Sequence, residues 1–275
     1  MDTTEAFEHL YSTYFGENQH ERHEIENLPN LLVGCDLFVD AGASLGMYTY
    51  FANEAMDGGT IIAVEADPDR FEELKRNCEK WEAEGTNTIR AIHAAMGDAR
   101  TPITFFKTGT QISGGFFPVN ERSEDYQAVE VQQILLDDLY QPDVPTLVKI
   151  DVEGAEQRVL LGAQKHLSSG TTRLLLEFHW WGDRERGYTN YHVLRHLHGA
   201  RFSIHKTTPV HTSNYHLVPT SPGERVIGGY LKVAPLLLAK SIYGRYTPNW
   251  LRDLRERRLN RRRRRLHGVA ASGDR

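Results

Sequence analysis

The sequence predicts an α/β protein with a doubly wound, Rossmann-like sheet that is mostly parallel and ends in an antiparallel hairpin. Short continuous apolar runs alternate along the chain with segments of helical period, which is typical of βαβ units. The first apolar run leads directly into a glycine turn, and the last two strand-like runs have no helix between them. With 275 residues, 40% of them hydrophobic, the chain can build one large domain with additions at its ends.

The first strand, turn and helix occupy the stretch from Leu37 to Ala55. Its apolar start does not alternate, as in a strand buried on both faces. From Leu45 the apolar positions recur at helical spacing until an Asp-Gly-Gly sequence ends the helix. Gly42 and Gly46 allow a tight turn, and Asp40 lies at the carboxyl end of the strand, where such sheets bind ligands. This unit is therefore either the floor of a cofactor site or a purely structural turn.

The remaining elements repeat this pattern. The second strand, over 60–65, ends at Glu65, and Asp67 caps the next helix with Pro68 at its first position. The segment 107–127, rich in glycine and aromatic residues, is either a lid over a ligand or a solvated loop. The other predicted elements are strands over 87–96, 102–106, 129–134, 146–151, 173–178, 202–205 and 226–233, helices after Gly154 and over 188–198, and a polar loop over 207–224.

We expect three parts in the chain: a helical cap over 1–36, the α/β domain over 37–235, and a basic tail over 236–275 that is amphipathic or disordered. Cys35 and Cys78 are too few for a disulfide framework, which favours a reducing, cytoplasmic location. The acidic amino terminus does not resemble a secretory signal, and no apolar run approaches the length of about 20 residues that a membrane span requires.

Charge is unevenly distributed along the chain. The formal net charge is −5, yet the segment 252–265 holds nine arginines and only two acidic residues. An acidic body with a basic tail suggests a separate partner for the tail. Apolar residues before the arginines would make 236–265 an amphipathic helix for the anionic inner face of a membrane. A solvated tail is equally consistent, and nucleic acid is disfavoured because the body is acidic.

Carboxylates recur where the predicted strands end. Because the carboxyl ends of parallel strands meet at one edge of a sheet, these side chains should gather there: Asp40, Glu65, Asp98, Asp151 and Glu177. Glu65 follows Gly42 by 23 positions, the spacing at which an acid accepts hydrogen bonds from the ribose of an adenosine-type cofactor. Its alternative role is that of a solvated charge at a strand end.

The turn indicates the kind of cofactor. A dinucleotide site uses Gly-x-Gly-x-x-Gly so that helix amides receive a pyrophosphate, whereas this turn is Asp-x-Gly-x-x-x-Gly. Asp40 would repel a diphosphate, but it could accept from an ammonium group and leave a ligand carboxylate free to meet the helix amides. These features favour S-adenosylmethionine, with NAD as the weaker alternative.

Four motifs give the chain a specific resemblance. They are Phe-Val-Asp-Ala-Gly-Ala-Ser-Leu-Gly from Phe38, Glu-Ala-Asp-Pro from Glu65, Lys-Ile-Asp-Val-Glu-Gly-Ala-Glu from Lys149, and Glu-Phe-His from Glu177. Together they resemble the FkbM-type methyltransferase family from Leu37 to His205, and the third is the most specific. The resemblance implies a class I methyltransferase fold and methylation of oxygen, often on sugars or other natural-product hydroxyls.

From these arguments and this resemblance we expect the following site residues. Cofactor contacts are assigned to Asp40, Gly42, Ala43, Gly46, Glu65, Ala66, Gly97, Asp98 and Asp151. Catalytic roles are assigned to Asp151 and His179 as bases and to Lys149 as a positioning group. Acceptor contacts are assigned to Glu153, Glu156, Glu177 and His179.

Other roles stay open for some of these residues. His179 precedes two tryptophans and is equally consistent with packing, while Glu153 and Glu156 could simply favour a helix start. A divalent metal on Asp151, Glu153 and His179 is conceivable, but the spacing matches no known ligand pattern, so no metal is expected.

The expected activity is S-adenosylmethionine-dependent transfer of a methyl group to the hydroxyl of a carbohydrate or glycolipid-like acceptor. Two other classes remain open: an NAD-type oxidoreductase, and a non-catalytic module tethered through its basic tail. Binding of NADH without binding of S-adenosylhomocysteine would favour the first.

Overall fold

Ten strands and six helices make up the computed structural model, which describes residues 19–108, 126–179, 182–183, 185–206, 214–220, 230 and 235. The strands are β1 Leu37–Ala41, β2 Thr60–Glu65, β3 Thr88–His93, β4 Ala95–Met96, β5 Pro102–Thr108, β6 Tyr126–Ile134, β7 Thr146–Ile150, β8 Thr172–Glu177, β9 Phe202–Lys206 and β10 Asn214–Pro219. The helices are α1 Gln19–Leu32, α2 Met47–Ala55, α3 Pro68–Glu84, α4 Glu156–Leu161, α5 Gln164–Ser169 and α6 Asn190–Gly199, with a 3-10 turn at Leu136–Asp138.

The main sheet has seven strands in the order β3-β2-β1-β7-β8-β10-β9. In this sheet the neighbouring strands β3, β2, β1, β7 and β8 are all parallel. Strand β10 lies between β8 and β9 and runs antiparallel to both. A second sheet of three strands, in the order β4-β6-β5, adjoins it. The predicted fold class, a mostly parallel doubly wound sheet with an antiparallel pair at its end, is therefore confirmed.

Helices cover both faces of the main sheet, which explains the apolar character of its central strands. Phe38 belongs to a core cluster with Leu28 of α1 and Trp81 of α3. The next residue, Val39, points to the opposite face and belongs to a cluster with Leu160 of α4. All five residues of β1 are buried, as a strand between two helical layers requires.

Local signals set the start of two helices. Asp67 accepts hydrogen bonds from the backbone N–H groups of Asp69 and Arg70, with Pro68 at the first position of α3, as the sequence predicts. Helix α2 begins at Met47 rather than at the predicted Leu45. The reason is that Gly46 has a φ of 95°, a left-handed conformation that helical residues do not adopt.

Two predicted elements are corrected by the structure. The strand predicted over 87–96 is divided into β3 and β4, which belong to different sheets. The loop predicted over 207–224 contains β10, whose Tyr215 and Leu217 are buried in the main hydrophobic core. The sequence did not predict this strand, because its apolar residues form too short a pattern between polar ones. The strand predicted over 226–233 lies outside the described residues except for Tyr230.

Three other predicted segments lie wholly or partly outside the described residues. Of the helical cap over 1–36, the structure describes α1, which packs on α2 through Ile25 and Leu28. Of the lid candidate, residues 109–125 are outside, as is the tail over 236–275. Among the helices that the structure describes, none has the length and apolarity to cross a membrane.

Candidate functional site

The turn between β1 and α2 lies against the chain that leaves β7. Gly42 has a φ of 83°, and a Cβ atom added to it would come 1.9 Å from the backbone oxygen of Asp151. The N–H groups of Gly42 and Ala43 both donate to the carbonyl oxygen of Val64 at the end of β2. Glycine is therefore required at this position, because a side chain would separate the turn from the β7 loop.

Glu65 connects the turn to the end of β2. Its Oε2 accepts from the Ser44 backbone N–H at 2.7 Å, and its Oε1 accepts from the Asp67 backbone N–H at 2.8 Å. Burial raises the pKa of this carboxyl, and the two backbone donors oppose that shift. The predicted contact with a ribose stays a prediction, although carboxylate oxygens that already accept one hydrogen bond can accept another.

Lys149 lies between two carboxylates below this turn. Its Nζ is 3.1 Å from Asp151 Oδ2 and 3.6 Å from Asp40 Oδ1, and it lies 4.5 Å from the centre of the Tyr48 ring. Burial lowers the pKa of Lys149, but the two acids outweigh it and raise the pKa overall. For Asp151, burial raises the pKa, and Lys149 and His179 together lower it below its usual range.

Asp40 points into the protein rather than toward the edge of the sheet. Its side chain is 1% exposed, and its Oδ2 accepts from the Thr49 hydroxyl at 2.9 Å while Oδ1 faces Lys149. Burial raises its pKa, and Lys149 opposes that shift. Lys149 thus provides Asp40 with a cation of the protein itself, and the predicted contact of Asp40 with the ammonium group of a cofactor stays a prediction.

His179 lies at the centre of a ring of carboxylates formed by the ends of β7 and β8. Its Nδ1 is 2.6 Å from Glu156 Oε1. Its Nε2 lies 3.4 Å from Glu153 Oε2, 3.9 Å from Asp151 Oδ1 and 4.0 Å from Glu177 Oε1. The sheet register explains the convergence, since the residues preceding Asp151 and Glu177 are paired across β7 and β8.

The charges around His179 bear on its predicted role as a base, which stays a prediction. Burial lowers the pKa of the imidazole, but Glu156, Glu153 and Glu177 outweigh it and raise the pKa to about 10. The imidazole is thus positively charged at neutral pH when no other cation occupies the ring of carboxylates. A histidine accepts a proton only in its neutral form, so a protonated His179 would act as a cationic group in this state.

Glu153 occupies a strained position in the same ring. It has a φ of 52°, in the left-handed region that residues with a Cβ rarely adopt, and Gly154 follows with a φ of 102°. Its side chain is 27% exposed. Burial raises the pKa of Glu153 to about 7, and the neighbouring acids add to this effect while His179 opposes it. Strain of this kind is often found at functional sites.

The other predicted site residues are only partly brought together. Glu156 is 2% exposed and accepts from the Gly154 N–H as well as contacting His179, so it orients the imidazole rather than reaching an acceptor. Gly97 and Asp98 follow β4 in the second sheet, and Asp98 forms an ion pair with Arg186. Ala66, Ala43 and Gly46 lie in or beside the turns after β2 and β1, as predicted.

Sequence reasoning missed two contributors to the site. Tyr48, predicted only as an apolar helix position, places its ring against Lys149 and donates its hydroxyl proton to Glu24 of α1. Arg158 of α4, two positions after Glu156, pairs with the buried Asp183. Neither contact has a local pattern in the sequence. Lys149 and Asp151, by contrast, are two positions apart on one strand end, a spacing that allows an ion pair.

The chain is similar to known methyltransferases. A model of the methyltransferase FkbM domain family matches residues 40–204. Methyltransferase 1 of Beauveria bassiana is 30% identical over 145 residues, which are 45% of this chain and 57% of that protein. The 31-O-demethyl-FK506 methyltransferase FkbM of Streptomyces tacrolimicus is 27% identical over 183 residues, which are 56% of this chain and 68% of that protein.

Two solved methyltransferase structures also align with this chain. A methyltransferase FkbM from Methylobacillus flagellatus KT aligns over 67% of this chain and 44% of its own, with 15% identity and a TM-score of 0.44. The magnesium protoporphyrin IX methyltransferase of Synechocystis PCC 6803, solved with bound S-adenosylmethionine, aligns over 80% of this chain and 98% of its own, with 14% identity and a TM-score of 0.39.

Proposed function

Because the chain belongs to the FkbM methyltransferase family, we propose that it transfers a methyl group from S-adenosylmethionine to a hydroxyl oxygen, most readily that of a carbohydrate or glycolipid-like acceptor. The observation that carries the proposal is the convergence of the β1–α2 turn, Glu65 and the ring of carboxylates around His179 at one edge of the sheet. All of these residues fall within the matched range 40–204. The name of the Streptomyces relative, which describes a 31-O-demethyl substrate, supports oxygen as the target.

The residues present fit this cofactor. Glu65 lies at the end of β2 and contacts the turn through Ser44, which is where a carboxylate meets the ribose of a nucleoside cofactor. When bound, S-adenosylmethionine supplies an electrophilic methyl group on a sulfonium. The turn and Glu65 would hold the cofactor, and the loop at Asp151, packed on Gly42, would face its reactive end.

The acceptor side of the site is formed by half-buried carboxylates. The side chains of Asp151, Glu153 and Glu177 are each about one quarter exposed, so they are open to a ligand and partly shielded from water. Carboxylates accept hydrogen bonds from sugar hydroxyls and can hold a hydroxyl in line with the methyl group. Removal of the hydroxyl proton by a carboxylate of this group completes the reaction. Glu156 acts through His179 and is a positioning residue.

The direct test uses S-adenosylmethionine labelled with ¹³C in the methyl group, incubated with the full-length chain and fractionated glycan and lipid extracts. NMR of the product distinguishes methyl groups on oxygen, nitrogen and sulfur. We expect an O-methyl product, its loss in Asp151→Asn, and its retention in Glu79→Gln, a change on the exposed face of α3. Methyl transfer to nitrogen would refute the oxygen assignment, and full activity of Asp151→Asn would remove that residue from the mechanism.

The sequence also suggests a partner for the basic tail and a cellular location, and both remain proposals. One is peripheral contact of the basic segment 236–265 with an anionic membrane surface, supported by its ten arginines. Removal of residues 250–275 should then weaken sedimentation with anionic vesicles and leave cofactor affinity unchanged. The other is a cytoplasmic location, supported by the low cysteine content.

A further inference from the structure

Three side chains at the ends of β7 and β8 have the donor types and placement of a cation site. One ligand atom from each of Asp151, Glu177 and His179 lies within 4.8 Å of the other two. We propose that these residues bind one divalent cation of the Mg²⁺ and Mn²⁺ class. From the sequence no metal was expected, because the spacing of Asp151, Glu153 and His179 matches no known ligand pattern. In the structure Glu177 joins Asp151 and His179 through the pairing of β7 with β8.

The imidazole is held in the orientation that a ligating histidine needs. His179 is 8% exposed, and its Nδ1 is fixed by Glu156, itself 2% exposed and outside the three donors. The Nε2 atom therefore faces Asp151 and Glu177, at 3.9 and 4.0 Å from their oxygens, with Glu153 Oε2 nearer at 3.4 Å. A carboxylate on the second nitrogen of a histidine is the usual support of metal-binding histidines.

The two oxygens of Asp151 have separate surroundings. Oδ2 faces Lys149 at 3.1 Å, whereas Oδ1 faces His179 and the proposed ion position. Lys149 is also shared with Asp40, so even with His179 protonated these two cations face five carboxyl groups, those of Asp40, Asp151, Glu153, Glu156 and Glu177. A divalent cation would balance the charges of Asp151 and Glu177 directly.

The distances suit a small octahedral cation. With ligand bonds of about 2.1 Å, neighbouring donor atoms are about 3.0 Å apart and opposite donors about 4.2 Å. The separations of 3.9 and 4.0 Å from Nε2 exceed the spacing of neighbouring donors by about 1 Å, and all three donors lie within 4.8 Å of one another, so side-chain shifts of about 1 Å would complete the site. Two carboxylates and one imidazole, with water in the remaining positions, favour Mn²⁺ or Mg²⁺ over metals that prefer sulfur ligands.

The location suggests what the ion would do. The backbone oxygen of Asp151 packs on Gly42, so the ion would lie beside the position proposed for the methyl group. There it would bind the acceptor oxygen and favour loss of its proton, as divalent cations do for bound water. This role rests on the proposed methyl transfer, whereas binding of the ion does not.

Binding is tested with Mn²⁺ and the full-length protein after chelator treatment, by electron paramagnetic resonance. We expect one Mn²⁺ per chain, displaced by excess Mg²⁺, and an electron spin-echo modulation from a directly bound nitrogen. Glu177→Gln and His179→Gln should each weaken Mn²⁺ binding at least tenfold, while Glu79→Gln leaves it unchanged. His179→Gln should also remove the nitrogen signal.

Three results would overturn the proposal: no Mn²⁺ bound at millimolar concentration, binding without a nitrogen signal, or equal affinity in Glu177→Gln and the wild type. Circular dichroism melting of each variant shows that it is folded, and the nitrogen signal of the wild type needs no variant at all. Calorimetry with S-adenosylhomocysteine is run on the same samples. Absence of S-adenosylhomocysteine binding would count against the proposed function and not against the cation site.

Discussion

The ion pairs of Lys149 can be tested by removing the lysine alone and then together with its most buried partner. Lys149 is 8% exposed and Asp40 is 1% exposed, so Lys149→Met leaves a carboxylate in the core with Thr49 as its remaining polar contact. Removing one partner of a buried ion pair costs about 3–5 kcal/mol because the other charge loses its compensation. Asp151, being partly exposed, can regain water and should add little to this cost.

A double-mutant cycle separates this effect from lost packing. Lys149→Met should lower the free energy of unfolding by about 3 kcal/mol, and adding Asp40→Asn should restore most of it. Urea denaturation followed by circular dichroism gives each value, with the exposed Lys75→Met as a control expected to change it by less than about 0.5 kcal/mol. If the changes in the free energy of unfolding caused by the two substitutions add within about 0.5 kcal/mol, Lys149 and Asp40 do not stabilise the fold as an ion pair.

Three further perturbations address the turn, the ribose contact and the end of the sheet. Gly42→Ala should abolish S-adenosylhomocysteine binding in calorimetry because its Cβ would meet backbone at 1.9 Å, whereas Gly58→Ala, at a φ of 72° with open space around it, should retain binding. Glu65→Gln should weaken S-adenosylhomocysteine binding at least tenfold, about 1.4 kcal/mol, and an unchanged affinity would exclude the ribose role. Burial lowers the pKa of His216 to about 4, so the unfolded chain binds more protons between about pH 6.5 and 4 and stability falls as the pH drops through this window. His216→Gln should remove about 2–3 kcal/mol of that loss in urea titrations, while the exposed His205→Gln, its partner across β9 and β10, should keep most of it.

The fold could be predicted where burial on two faces leaves a strong local pattern. The apolar run at Leu37, the glycine turn and the Asp67-Pro68 helix start each reflect forces that act within a few residues. β10 could not be predicted in this way, because its burial comes from strands β8 and β9 on either side. Its six residues include only three large apolar ones, Tyr215, Leu217 and Val218, of which Tyr215 and Leu217 are buried.

The candidate site could also be predicted only where the cause is local in the sequence. The sequence identifies Asp151, Glu153 and Glu177 as acids near strand ends, and the structure does bring them together. It cannot show that Glu156 and His179, 23 positions apart, form a contact of 2.6 Å, since that depends on how α4 packs beside β8. The raised pKa of His179 follows from this packing, which a prediction from the sequence alone could not include.

Calorimetric titration of S-adenosylhomocysteine and of NADH into the full-length chain tests most directly which nucleotide the turn between β1 and α2 accepts. We expect S-adenosylhomocysteine to bind with one molecule per chain and NADH to give no binding heat. Binding of NADH, with no binding of S-adenosylhomocysteine, would contradict the cofactor assignment on which the proposed methyl transfer depends.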